Sequence, residues 1–252
     1  MTSVVNILTV ASAALLCARL CYSGLHRRYP AFFLYLIFFT MQNGAFAFLG
    51  PASGAYQKVW VLTQPLEWFL YAWVVLELFS LVLQDYQGLR TVGRWLLIAA
   101  VTVALLASGF SLMVPSHSTP QGHLMAYYYV AERAVYFSLA VFLTTILVLL
   151  TRYPITLNRN TVVHSVVFSV YFLSNTVVFL VLSTRGLPAI QMASYAIQAV
   201  NLAALGTWLA MLNAAGEQRP QKLRPAWLPG REQELVSQLN NFNMALLRAA
   251  RI

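Results

Sequence analysis

Charge is scarce in this sequence. Only 9% of the 252 residues are charged, seven acidic against sixteen basic, whereas a soluble globular domain keeps about 25%. The shortage excludes an ordinary soluble domain. Lysine occurs only at Lys58 and Lys222, both outside the apolar runs described below. That excludes a retinal-type Schiff base, which needs a lysine deep in a helix. The two cysteines, Cys17 and Cys21, stand one helical turn apart. They supply no disulfide framework and only half a metal site, and read as small packing residues. Of four histidines only His164 falls in an apolar run, which excludes a bis-histidine haem. His117 and His123 share a loop with no acid or thiol beside them, too few donors for zinc. No HExxH, GxGxxG, P-loop or GxSxG pattern is present. The reading is therefore non-enzymatic, with no catalytic residue, metal or cofactor expected.

What the chain has instead is apolar length. It is 60% hydrophobic with a mean hydropathy of +0.67. Seven apolar runs occupy residues 4–22, 31–50, 59–83, 95–114, 124–150, 161–182 and 188–212. At about 20 residues per crossing, each is long enough to span a bilayer. The breaks carry turn chemistry, at Tyr29-Pro30, Gly50-Pro51, Gln87-Gly88, residues 115–122, Tyr153-Pro154 and Gly186-Leu187-Pro188. The first run lacks a basic leader and a small-residue cleavage site, so it reads as an uncleaved span. These features predict an all-α, seven-transmembrane-helix bundle over residues 1–213. A Pro/Arg-rich extended linker, 214–230, and a C-terminal amphipathic helix, 231–252, follow it.

Orientation follows from the basic residues. Alternate loops hold Arg27 and Arg28, Arg90 and Arg94, and Arg152 and Arg159. The tail adds Arg219, Lys222, Arg224, Arg231, Arg248 and Arg251, while the opposite side has only Lys58 and Arg185. The positive-inside rule puts the N-terminus outside and the tail in the cytoplasm. The net charge of +9 thus points to anionic lipid at the cytoplasmic face, not to nucleic acid. In the tail, Leu235, Leu239, Phe242 and Leu246 make one helix face, with Glu232, Gln238, Asn241 and Arg248 on the other. Such a helix lies on the inner leaflet or docks a partner protein or a second copy. In the first run Ala11, Ala14 and Ala18 form a small-residue face suited to close packing. The fourth, free of ionisable residues from Trp95 to Pro115, reads as peripheral and lipid-facing.

Against this background the stretch 127–136 stands out, because it sets Glu132 beside Arg133 within an apolar run. Ionisable groups in hydrocarbon need a partner, a wet cavity or a function. At 1.5 Å per residue, Glu132 lies about 12 Å inside the outer boundary, and Glu67 on the third run lies equally deep. Asn43, Asn175 and Gln198 fall at the same level on the second, sixth and seventh runs. Five helices thus place a hydrogen-bonding group in one outer layer. Thr63, Gln64 and Tyr71 share the side of Glu67, and Pro65 frees the carbonyl of Val61 nearby. Ser165, Ser169 and Thr176 share one face of the sixth run, with Tyr171 and Asn175 on the adjacent one. Gln191, Ser194, Gln198 and Asn201 form a seam on the seventh. Such stripes face protein or water rather than lipid. Consecutive side chains diverge by about 100°, so Arg133 is expected to pair with Glu67, leaving Glu132 without a counter-ion. Tyr129 and Tyr136 lie within a turn of both. Deeper, Glu77 is expected to face Arg19, and Asp85 to pair with Arg90 or Arg94.

The run Glu67…Glu77-Leu78-Phe79, then Asp85-Tyr86-Gln87-Gly88-Leu89 and Arg94-Trp95, resembles small uncharacterised bacterial seven-helix integral membrane proteins. The resemblance covers the third run and the loop after it, and implies a bacterial inner (plasma) membrane setting without an activity. Three functional readings follow. The first is a receptor or sensor whose outward polar-aromatic pocket holds a small solute or lipid headgroup. Its candidate site is Glu67, Glu132, Arg133, Asn43, Asn175, Gln198, Tyr71, Tyr129 and Tyr136. The second is a small-solute or proton-coupled transporter using Glu67 and Glu132. The third is a structural subunit of a membrane complex, with the polar layer as glue.

Overall fold

Proline and glycine cut the chain into helices at the expected breaks. The computed structural model describes residues 2–49, 53–84, 86–113, 123–152, 156–185, 190–218, 220–222 and 229–249. Its helices are α1 (Thr2–Tyr22), α2 (Pro30–Phe48), α3 (Gly54–Val82), α4 (Gln87–Met113), α5 (His123–Arg152), α6 (Arg159–Arg185), α7 (Ile190–Met211) and α8 (Pro229–Ala249). Single 3-10 turns form at Leu25–Arg27 and Ala214–Glu217. Gly24, at φ 73°, supplies the left-handed residue that lets the chain leave α1 for the first of these turns. Two short strands, β1 (Thr156–Asn158) and β2 (Pro220–Lys222), pair antiparallel, with Leu157 opposite Gln221. The linker is thus not simply extended. Its first part turns back and pairs with the residues just before α6.

Among the described residues, five helical segments are long and apolar enough to cross a membrane: Val4–Tyr22, Pro30–Phe48, Gly54–Val82, Val130–Val148 and Arg159–Leu182. α7 is not among them, because the polar seam of Gln191, Ser194, Gln198 and Asn201 dilutes its apolar content. The described surface is inside-out relative to a soluble protein. Leu8, Leu15, Leu62, Phe69, Val170, Leu173 and Val177 point outward, while Gln64, Glu132, His164, Ser165 and Asn175 are buried. That distribution is compatible with an apolar surrounding medium.

Neighbouring helices close a ring. α1 packs on α2 and α7, α2 on α3, α3 on α4, α4 on α5, α5 on α6, and α6 on α7. α3 also leans across the ring to reach α5 and α6. Its 29 residues measure about 43 Å at 1.5 Å per residue, well beyond a hydrocarbon core of about 30 Å. α3 therefore has length to spare for crossing the bundle at a tilt. Phe32, Tyr71, Phe168, Phe172 and Trp208 are fully buried and fill the centre. His164 sits among them, 4.6 Å from the ring of Tyr29 and 4.5 Å from that of Phe32. Its ring nitrogens have no hydrogen-bond partner among the described residues.

Two expectations are corrected. On α1 the buried face is Thr9, Ala13, Leu16 and Leu20, and the alanines Ala11, Ala14 and Ala18 are exposed. Larger side chains interlock here between α2 and α7, and the small stripe is turned away. Nor does Glu77 face Arg19. Its carboxylate accepts the backbone N–H groups of Ala31 (2.9 Å) and Phe32 (3.2 Å). These are orphan donors in the first turn of α2, behind Pro30 at its start. A carboxylate there meets both free donors and the positive end of the helix dipole. Arg19 instead donates to the carbonyl of Leu209 on α7. Asp85 lies outside the described residues.

α8 packs against α4 of its own chain. Leu239 is buried, and the side-chain oxygen of Asn243 accepts the N–H groups of Gly88 (2.8 Å) and Leu89 (3.4 Å). The tail therefore caps the start of α4, a role usually filled from within the same helix.

Candidate functional site

The polar layer surrounds a cavity of about 890 Å³ at the end of the bundle where α1, α3 and α7 begin and α2 and α6 finish. Its volume is within the usual range for small-molecule sites, about 300–1,000 Å³. Each wall has a local origin. α3 is anchored at its start by Ser53, whose hydroxyl accepts the N–H of Tyr56 at 3.1 Å. This places Tyr56 and Trp60 at the mouth and, one and two turns deeper than Trp60, Gln64 and Glu67. α2 contributes Phe39, Gln42, Asn43 and Phe46, α5 contributes Glu132 and Tyr136, and α6 contributes Tyr171, Asn175 and Phe179. Asn6 of α1 and Ser194, Gln198 and Asn201 of α7 complete the wall.

Two carboxylates form the polar floor. Gln64 bridges them, its Nε2 donating to Glu67 Oε2 at 3.3 Å and to Glu132 Oε1 at 3.2 Å. The reverse orientation of that amide would set its oxygen against two carboxylates, so the donor end must face them. Glu67 accepts two further bonds, from Gln42 Nε2 at 3.3 Å and from the Tyr71 hydroxyl at 2.8 Å. Since Tyr71 gives its one proton to Glu67, Tyr171, 2.8 Å away, must donate to Tyr71. Glu132 accepts the Tyr136 hydroxyl at 3.2 Å. Its second oxygen, Oε2, is buried and has no hydrogen-bond partner among the described residues, and the same holds for Gln64 Oε1, Gln198 Oε1 and Asn201 Oδ1.

The structure distributes the sequence-derived candidates unevenly. Asn43, Glu67, Glu132, Asn175, Gln198 and Tyr136 all line the one cavity. Asn43 and Asn175 use their amide N–H groups on the backbone one turn earlier, at Phe39 (2.9 Å) and Tyr171 (2.8 Å). Gln198 reaches Asn6 at 3.4 Å. Tyr71 stands behind the wall, holding Glu67. The side chain of Tyr129 lies outside the described residues. Arg133 is half-buried and is not part of the lining. The expected ion pair with Glu67 is not formed, because the neutral donors Gln42, Gln64 and Tyr71 occupy that carboxylate. The 100° step from Glu132 to Arg133 turns the guanidinium away once Glu132 faces inward.

Gln64, Gln42 and Tyr171 also line the cavity, though the sequence did not single them out as site residues. Gln64 carried a usable signal, sharing the side of Glu67 one turn away. Gln42 carried none, since nothing local distinguishes it from Asn43. The structure makes the choice: Gln42 is buried, and its amide also reaches Thr63 at 2.9 Å.

A second polar cluster closes the opposite end. Glu217 accepts the Tyr29 hydroxyl at 2.6 Å, Asn160 Nδ2 at 2.8 Å and Asn158 Nδ2 at 3.1 Å, and forms an ion pair with Arg28 at 3.8 Å. Tyr29 is fully buried, and burial together with the hydrogen bond given to Glu217 holds its phenol well above the usual tyrosine range. Asn160 also donates to the carbonyl of Asn213 at 2.8 Å. These bonds tie the ends of α2 and α6 to the segment leaving α7. The shallow cleft beside them, lined by Ser23, Gly24, Arg28, Asn158 and Glu217, belongs to this tether.

Among the described residues no group of three or more His, Cys, Asp or Glu side chains is arranged to hold a metal ion. The cavity offers hydrogen-bond acceptors, aromatic faces and volume. No family model matches the chain, and neither does any curated protein or solved structure.

Proposed function

We propose that this chain is a non-enzymatic, seven-span protein of the bacterial plasma membrane, of receptor or sensor type, whose cavity opens outward to take a small solute or lipid headgroup. The observation that carries the reading is the cavity itself: about 890 Å³, rimmed by aromatics and floored by Glu67, Gln64 and Glu132. A network serving only as glue would be packed shut and satisfied, since a buried unpaired oxygen costs about 1–3 kcal/mol. Orientation is supported by the basic residues. Arg27, Arg28, Arg90, Arg94 and Arg159 cluster at the end remote from the cavity, which supports a cytoplasmic location for that end. There α8, docked on α4, presents its exposed Arg248 to anionic lipid. A partner protein or a second copy would use the same helix.

A transporter is the second reading, favoured by the single amide bridging two carboxylates, an arrangement suited to handling protons. Against it, α2 and α3 continue unbroken through Gly44 and Pro65, while many transporters bind at paired broken helices.

The test is accessibility. With Cys17 and Cys21 replaced by serine, Ser194→Cys in the cavity wall should react on intact cells with a membrane-impermeant thiol reagent. Labelling that requires permeabilised membranes would sink the outward-opening cavity. Flux abolished by both Glu67→Gln and Glu132→Gln in a folded protein would select the transporter.

A further inference from the structure

The cavity is lopsided in charge. Among the described residues its lining includes two carboxylates, Glu67 and Glu132, and no lysine, arginine or histidine. Every hydrogen bond described to those carboxylates comes from a neutral donor, Gln42, Gln64, Tyr71 or Tyr136. Glu132 is 5% exposed and Gln64 is 1% exposed, yet each keeps one oxygen without a partner among the described residues. Both oxygens are buried acceptors on residues that line the cavity, set in a low-dielectric environment where a donor carrying positive charge gains most.

The walls add a second preference. Trp60, Tyr56, Phe46 and Tyr171 line the same space, and aromatic faces attract cations, tryptophan most strongly. A bare metal ion is a poor fit, because two carboxylates fall short of the oxygen cage that hard cations require, and the volume far exceeds one ion. An anionic solute or a phosphate would meet the carboxylates without a compensating cation among the described lining residues. A small organic ammonium matches each feature: N–H donors for the orphaned oxygens, charge for the carboxylates, and an apolar body for the rings.

Resting on the receptor reading above, we propose that the solute class recognised by this cavity is a protonated amine carrying an apolar or aromatic group. The ammonium is held by Glu132 with Gln64, and Glu67, half-buried in the same floor, lies beside them. Glu132 is the specificity residue, because it lines the cavity as a carboxylate whose Oε2 has no partner among the described residues.

The experiment uses the full chain in lipid nanodiscs and three probes of similar shape: 2-phenylethylammonium, neutral 2-phenylethanol and anionic 3-phenylpropanoate. Thermal unfolding at neutral pH is recorded against each, at matched ionic strength. The ammonium is expected to raise the midpoint saturably, the alcohol little and the anion not at all. Glu132→Gln, nearly isosteric, is expected to weaken the ammonium by at least about tenfold and leave the alcohol unchanged. The charge series on the unmutated chain stands even if that variant folds poorly. Equal or greater stabilisation by the alcohol or the anion overturns the proposal, as does no stabilisation by the ammonium up to about 10 mM, a concentration at which even weak specific binding registers. Failure here is separable from failure of the outward cavity, because Ser194→Cys labelling on intact cells reads the cavity without any amine. A labelled cysteine with no ammonium effect removes this inference alone.

Discussion

Removing the carboxylate of Glu217 should loosen the tail end of the bundle by an amount that can be worked from its contacts. Glu217→Ala breaks bonds from Tyr29, Asn160 and Asn158 together with the ion pair to Arg28. Bonds to a charged acceptor contribute about 1.5–3 kcal/mol each, though they do not add within one network. The fully buried Tyr29 hydroxyl keeps a 3.2 Å contact to Thr161, and Asn160 keeps its bond to Asn213. The ion pair adds little, since the Arg28 side chain is 45% exposed. The net loss is then about 3 kcal/mol. In a chain of this size that amounts to about 6–12 °C in the unfolding midpoint. Glu217→Gln separates charge from shape. Its one oxygen can still serve Tyr29 and Asn160 while its amide faces Arg28 and Asn158, so the expected loss is about 1 kcal/mol. The assay is thermal unfolding in detergent followed by tryptophan fluorescence. An alanine variant within about 0.5 kcal/mol of the parent, or a glutamine variant as damaging as alanine, would refute the reasoning.

Two further outcomes follow from the same end of the molecule. A methyl group on Gly88 would stand 2.6 Å from the backbone oxygen of Asn243 and 3.2 Å from Leu246 Cβ. Gly88→Ala should therefore push α8 off α4, break the two bonds to Asn243 and speed limited proteolysis of the tail severalfold; an unchanged cleavage rate would mean that α8 is not held there. Alkaline pH offers a separate probe, because the Tyr29 phenol is held above its ordinary value by burial and by Glu217. The unfolded phenol ionises first, near pH 10, so this stabilisation is complete below that pH and is lost as pH rises above it, by up to about 1.4 kcal/mol per unit. Tyr29→Phe should start less stable and then lose its deficit above about pH 10; a constant gap between the two midpoints up to about pH 11.5 would contradict the assignment.

The sequence by itself determined where helices begin and end, because punctuation and apolar run length are local properties. Tyr29-Pro30 and Gln87-Gly88 mark the starts of α2 and α4, and five of the seven apolar runs coincide with helical segments long and apolar enough to cross a bilayer. Depth was legible too, since rise per residue is constant: counting from the helix ends put Asn43, Glu67, Glu132, Asn175 and Gln198 at one level, and all five line one cavity. Azimuth and partner choice were not legible. Glu67 takes Gln42, Gln64 and Tyr71 in place of Arg133, and Glu77 takes the start of α2 in place of Arg19. Ala11, Ala14 and Ala18 turn outward although their spacing suits a packed face. Each of these outcomes depends on which neighbour arrives at that side of the helix, and so on how seven helices close into a ring and where α3 leans across it. The tertiary structure alone decided that Gln64, one turn from Glu67 on α3, would join it to Glu132 across the bundle. In low dielectric, contacts made across helices outweigh anything that spacing within one helix can encode.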